Sequence, residues 1–340
     1  MSAASIFFEP RVSLSRNEKF AMVREGSLGF ALALALGFAA SYISKQVKGL
    51  DPLVAAVVLG LIASVAISTR DKVYFKVLPG ILLAQSIFIP IGIALYGKNL
   101  EIKVMLASSP WIFLQVIGIT VLTFFLMFWL GKLFGFNERM RYLLGFGSAI
   151  CGASAIAIAS PVVEAEPNDT ATGLVDNTIA ALISMYVLSM VVLPHVLPRE
   201  YAAAAGALLH QTGFVKMTLA GGAKSLLEFG VVVKSLRVVL LVVAIPTVSY
   251  LIRKRVYVPW YLVLFVVVAF LFSYVPMGAQ LSKGVTTFYE ICFSAALASI
   301  GMNANLLHVF KRLFKPLILI MVVFMIDLGV WWLTRTVIHY

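Results

Sequence analysis

The sequence predicts an all-α polytopic membrane protein with about eleven transmembrane helices. One leading helix precedes two inverted-topology repeats of five helices each, and discontinuous helices are expected to cross at the membrane midplane. Three observations carry this expectation. Of 340 residues, 61% are hydrophobic and 12% are charged, whereas soluble domains carry about 25% charged residues. Eleven apolar runs of spanning length, or nearly so, alternate with charged or Pro/Gly turns. Several punctuating residues coincide when the chain is shifted by 149 positions.

The runs cover residues 26–44, 52–69, 78–96, 111–134, 143–163, 171–196, 201–223, 236–252, 260–275, 285–307 and 316–338. The seventh is the weakest, because it holds His210, Gln211 and Lys216, and an interfacial helix is the alternative there. The expected division is a cytoplasmic segment 1–25, a leading helix 26–48, a first repeat 51–196 and a second repeat 200–340. Ala39-Ala40-Ser41 faintly resembles a cleavage site, but the polar lead is long for a signal peptide and no cleavage is expected.

Net charge is +12, and the cations sit in short loops rather than in a continuous nucleic-acid-binding face. With eleven spans, the N-terminal side collects 17 of the 27 Lys and Arg residues. The positive-inside rule then puts the N-terminus in the cytoplasm and the C-terminus outside the cell membrane. Dropping the seventh span would move the clusters at 253–255 and 311–315 to the outer face.

Under the 149-residue shift, Pro110-Trp111 falls on Pro259-Trp260, Gly152 on Gly301, Pro167 on Pro316, and Asp51 meets Glu200. Each unit holds five segments. Five is odd, so the second unit enters the membrane from the opposite side, as in secondary transporters.

The fifth run carries the densest chemistry. Gly145, Gly147 and Gly152 weaken its helix, Ser148, Ser154 and Ser160 add hydroxyls, and Pro161 closes it. It reads as a broken helix lining a midplane site, or as a small-residue run that lets helices pack closely. Its counterpart at 285–307 has Ser294, Ser299, Gly301, Asn303 and Asn305, and this match favours two broken helices. Crossed breaks would aim half-helix N-termini, each carrying roughly +0.5 charge, into one cavity that suits an anion. Neither stretch contains Lys or Arg. The expected substrate-binding residues are Ser148, Cys151, Gly152 and Ser154 from one stretch and Ser299, Gly301 and Asn303 from the other.

Ionisable residues inside apolar runs need a reason. Asp176-Asn177, Glu290 and Asp327 are the candidates for a coupling-ion site. Asp176 also reads as a helix-terminal acid near the headgroups, and Glu290 as a cap. His210 reads as a structural donor or as a titrating accessory group. Lys234 and Arg237, at i and i+3, read as snorkelling side chains or as a cationic wall, which makes Arg237 a candidate substrate contact. Cys151 and Cys292 form neither a disulfide framework nor a metal site. No cofactor or metal is expected.

The block Gly147-Ser148-Ala149-Ile150-Cys151-Gly152-Ala153-Ser154-Ala155-Ile156 resembles the signature of the sulfate exporter family, the YeiH-type bacterial and archaeal membrane proteins. Asp51-Pro52-Leu53-Val54-Ala55, Leu209-His210-Gln211, Lys234-Ser235-Leu236-Arg237-Val238, Val258-Pro259-Trp260, Ala298-Ser299-Ile300-Gly301-Met302 and Lys315-Pro316-Leu317 continue the likeness in order. The chain departs from the family pattern at Gln211, where an acidic residue follows the His. The resemblance implies distant kinship to bile-acid:sodium symporters and sodium/proton antiporters, which have crossed broken helices.

The expected function is secondary transport of a small anion, sulfate or an organosulfonate or carboxylate, by alternating access with H+ or Na+ coupling. A cation/proton antiporter of the same fold and a passive anion channel are the alternatives. Enzyme motifs such as a nucleophile elbow or His-Glu-x-x-His do not occur, and catalysis is not expected. The expected partners are the anion and the bilayer, a homodimer stays open, and nucleic acid is not expected.

Overall fold

The computed structural model describes residues 16–46, 52–68, 71–100, 102–103, 109–254, 258–275 and 277–338. Residues 1–15 of the expected cytoplasmic segment and Asp51 of the repeat pairing lie outside them. Regular structure among the described residues is entirely helical. In chain order the α-helices are α1 Arg16–Gln46, α2 Pro52–Ser68, α3 Asp71–Tyr96, α4 Pro110–Leu133, α5 Glu138–Phe146, α6 Ala153–Val162, α7 Pro167–Val187 and α8 Pro198–Leu208. There follow α9 Thr212–Leu219, α10 Lys224–Val239, α11 Leu241–Arg253, α12 Trp260–Tyr274, α13 Ala279–Asn303, α14 Leu306–Arg312 and α15 Phe314–Thr334.

Local chemistry sets the boundaries. Pro110, Pro167 and Pro198 each occupy a first helical turn, where their missing N–H has no intrahelical role. Asn137 caps α5 by accepting from the Met140 N–H at 2.7 Å. Glu200 accepts from the Leu197 N–H at 3.0 Å at the start of α8.

Every apolar run read from the sequence contains helix among the described residues. Seven described helical stretches are long and apolar enough to cross a membrane by length and composition: Gly26–Gln46, Lys76–Asn99, Pro110–Leu133, Pro167–His195, Lys224–Ile252, Gln280–Asn303 and Phe314–Thr334. Ala55–Ile67, Ala153–Val162 and Trp260–Tyr274 are shorter apolar helices. On α4, Trp111, Leu114, Val121, Phe125, Trp129 and Leu133 are all exposed. Such a face is unfavourable in water and matches lipid, where backbone polar groups must be paired within the helix.

The helices form two groups. Around α13 pack α1, α2 and α3, with α12 against α3. The second group comprises α4 to α10 and α15, in which α4 touches α5, α10 and α15, and α8 packs on α10. The groups meet where α7 contacts α2 and α13, and where α6 contacts α3.

Two expectations need correction. The first is the second broken helix: α13 runs unbroken through Gly301 and ends only at Ala304, which is extended. Gly301 serves close packing instead. A Cβ there would stand 2.5 Å from the Val57 carbonyl oxygen, and a Cβ on Gly60 would stand 2.2 Å from that of Ala298. Helices α2 and α13 therefore touch backbone to backbone. The second break lies in the weak seventh run, at 209–211. Its counterpart under the 149-residue shift is 60–62 in α2, which is unbroken, so that shift does not relate the two breaks.

The second correction concerns the eighth run. The sequence puts its start at 236, with Lys234 and Arg237 where it begins, as snorkelling side chains or a cationic wall. Instead α10 starts at Lys224, and only Leu240 separates it from α11. Lys234 and Arg237 thus lie deep within a continuous stretch and are buried. The apolar window ended at these two cations, which displaced the expected boundary.

Candidate functional site

The fifth run breaks as its glycines suggested. Helix α5 opens into a wide π-turn at Gly147–Cys151, and Gly152 follows at φ 73°, ψ −126°. That backbone conformation is open essentially to glycine. A Cβ on Gly152 would also stand 2.3 Å from Cγ of Gln211, in the second break. There Leu209 (φ −66°, ψ 138°) and Gln211 (φ −119°, ψ 141°) are extended between α8 and α9.

Breaking two helices leaves carbonyls without partners. Lys234 and Arg237 of α10 satisfy five of them. Arg237 donates through Nε to Ala149 O at 2.6 Å and through Nη2 to Ser148 O at 2.5 Å. Its Nη1 reaches Ala207 O at 2.6 Å and Leu209 O at 3.3 Å. Lys234 Nζ reaches Leu209 O at 2.6 Å and His210 O at 2.9 Å. Carbonyl ends of helices are electronegative, so two cations are well placed there. Arg237 is thus committed to main-chain carbonyls and does not line the cavity described below, contrary to its expected place as a substrate contact.

The opposite ends of the two breaks, the first turns of α6 and α9, line a cavity of about 250 Å³ between the two helix groups. Cys151, Ser154, Gln211, Thr212 and Lys216 form one wall, and Tyr96, Asn99, Tyr289 and Glu290 the other. Cys151 Sγ lies 2.8 Å from Ser154 Oγ, and Tyr96 OH lies 3.5 Å from Thr212 Oγ1. A neighbouring cavity of about 310 Å³ shares Tyr96, Asn99, Thr212 and Lys216 and adds Lys98.

Among the expected site residues, the fold brings Cys151, Ser154 and Glu290 to the cavity, with Gly152 at its back. Ser148 is buried behind it and accepts from Asn177 Nδ2 at 3.2 Å. Asp176 is fully buried, and neither carboxylate oxygen has a hydrogen-bond partner among the described groups. Asp327 Oδ2 accepts from Thr123 Oγ1 at 2.7 Å, within electrostatic range of Arg237. His210 is buried with its ring centroid 6.1 Å from that of Phe324, away from the cavity.

Ser299, Gly301 and Asn303 do not join the cavity. They follow Glu290 on α13 by up to thirteen residues, about 20 Å at 1.5 Å per residue. Ser299 bonds Ala296 O at 2.6 Å within its own helix. The sequence reading missed Tyr96, Asn99, Thr212, Lys216 and Tyr289. The polar cluster His210, Gln211 and Lys216 in an apolar run was the available signal for the second break.

Comparison with known proteins gives consistent matches. The family profile described as "Conserved hypothetical protein 698" matches residues 28–320. A UPF0324 membrane protein of Archaeoglobus fulgidus is 33% identical over 291 residues, covering 84% of this chain and 85% of the relative. One from Staphylococcus aureus is 25% identical over 309 residues, covering 86% and 92%. One from Staphylococcus epidermidis is 26% identical over 255 residues, covering 71% and 76%. No solved structure matches.

Proposed function

The chain belongs to the family described as conserved hypothetical protein 698, as its YeiH-type resemblance implied, and on that premise we propose that it is a secondary active transporter of a small anion. The observation that carries the reading is the convergence of two half-helix N-termini, those of α6 and α9, on one cavity. Amide N–H groups, the Ser154 and Thr212 hydroxyls and the Lys216 ammonium all favour negative charge there. The cavity lies between the two helix groups, and rocking one against the other would expose it to either side in turn. The broken segments would stay rigid during this motion, because Lys234 and Arg237 tie them together.

In this reading the chain crosses the cell membrane eleven times, with its N-terminus cytoplasmic and its C-terminus outside. The units 51–196 and 200–340 enter from opposite faces. Asp176 and Asp327 are the candidate acids for H+ or Na+ coupling, since both are buried carboxylates in the second helix group. Asp176 also favours a second reading, a cation/proton antiporter of the same fold.

Flux into proteoliposomes tests both. Uptake of labelled sulfate, a sulfonate or a carboxylate that responds to an imposed proton or sodium gradient supports anion transport. Proton or sodium movement indifferent to every anion supports the antiporter instead. Anion flux indifferent to every gradient would indicate a passive channel.

A further inference from the structure

Next to the cavity at the broken segments lies the second one, of about 310 Å³. Tyr96, Asn99, Thr212 and Lys216 line both and form the boundary between them. Past that boundary the lining changes character. Glu290 and the first turn of α6 line only the first cavity, whereas Lys98, Ser235, Phe272 and Ser282 line only the second. The second cavity thus presents two lysines and, among the described residues, no acid.

Lys98 is not a freely moving surface cation. It sits in the turn after α3 and donates to Ser282 O at 2.6 Å and to the Thr286 hydroxyl. That hydroxyl in turn donates to Ser282 O at 2.9 Å, so a closed set of bonds on α13 fixes the ammonium in place. An ammonium has three N–H donors, and these contacts use two. Lys98 is within electrostatic range of both Glu290 and Lys216. Glu290 offsets part of the charge from the first cavity, while Lys216 opposes it across the second. Two like charges facing one small space are unfavourable until an anion comes between them. Lys98 belongs to the first helix group and Lys216, on α9, to the second, so an anion there would be held by both groups at once.

We infer that the second cavity is a separate binding site for a small oxyanion, a carboxylate, sulfonate or sulfate, held by the ammonium groups of Lys98 and Lys216. The chain then takes two anions, one at the first turns of α6 and α9 and one here. Tyr96 and Thr212 stand between them, their hydroxyl oxygens 3.5 Å apart. This deepens the anion-transport reading and rests on it.

Equilibrium dialysis of the purified full chain against labelled sulfate, and separately against labelled propanoate, tests the inference. At saturation at least one of the two anions should reach two equivalents per chain. Lys98→Gln should leave one equivalent, with the other weakened by at least about tenfold, as expected for a lost charge-assisted hydrogen bond. Ser282→Asp keeps Lys98 in place but sets a carboxylate against it. The new acid falls in the first turn of α13, where negative charge favours the helix, so this variant should fold even if Lys98→Gln does not. It too should leave one equivalent. A single equivalent in the unaltered chain, or two equivalents retained in either variant, overturns the separate site and leaves anion transport standing. No binding of either anion overturns both.

Discussion

Arg237 on α10 donates from Nε to the carbonyl of Ala149, 88 residues earlier in the chain, at 2.6 Å. The same guanidinium also holds Ala207 O, so a single side chain joins both broken segments. A cation that the sequence offers as a snorkelling side chain or a substrate contact is instead an internal tie. It satisfies the carbonyl ends of the breaks and leaves their amide ends to the cavity.

Removing that tie should destabilise the fold more than it weakens binding. In Arg237→Gln, the carbonyls of Ser148, Ala149 and Ala207 lose their donor, and each buried unsatisfied acceptor costs about 1–3 kcal/mol. Thermal unfolding in detergent should show a clearly lowered midpoint. Arg237→Lys should rescue little, because one ammonium cannot reproduce the planar fork that spans two segments. A normal midpoint combined with lost anion binding would return Arg237 to the substrate site.

Gly152→Ala meets two obstacles, a positive φ and a Cβ 2.3 Å from Gln211 Cγ. Backbone strain alone costs about 1–3 kcal/mol. Gly301→Ala should also destabilise, through the contact with the Val57 carbonyl. Only Gly152→Ala should disturb ligand affinity as well, because only Gly152 separates the two cavity-lining first turns. Titration of both variants, alongside their unfolding midpoints, distinguishes the two roles.

Ser154→Ala and Thr212→Val should each weaken anion affinity by roughly tenfold, the size of one hydrogen bond to a charged ligand. Asn303→Ala should leave affinity unchanged, since Asn303 lies about 20 Å along α13 from the cavity. The check is equilibrium titration of the tightest-binding anion. Loss of affinity in Asn303→Ala with normal binding in Ser154→Ala would move the site to the far end of α13.

Reporter fusions address topology. A reporter active only in the cytoplasm should be silent when fused after residue 340 and active when fused ahead of residue 1. Activity at both ends would require an even number of crossings.

The sequence by itself determined the class of molecule and one half of the site. Low charge and long apolar runs leave helices in lipid as the natural solution, because hydropathy is additive along the chain and needs no partner. Gly152 announced its break because no other residue readily takes its backbone conformation. Tertiary structure decided the rest. Gly301 looked like Gly152 in sequence, yet a glycine permits either a break or a close approach. Only the neighbouring α2 backbone, with Gly60 and Val57, selected the approach. Leu209–Gln211 carries no glycine or proline, so only the polar residues in that apolar run hint at a break there. It is held open by Lys234 and Arg237 from another helix, and that interaction exists only once the chain has folded.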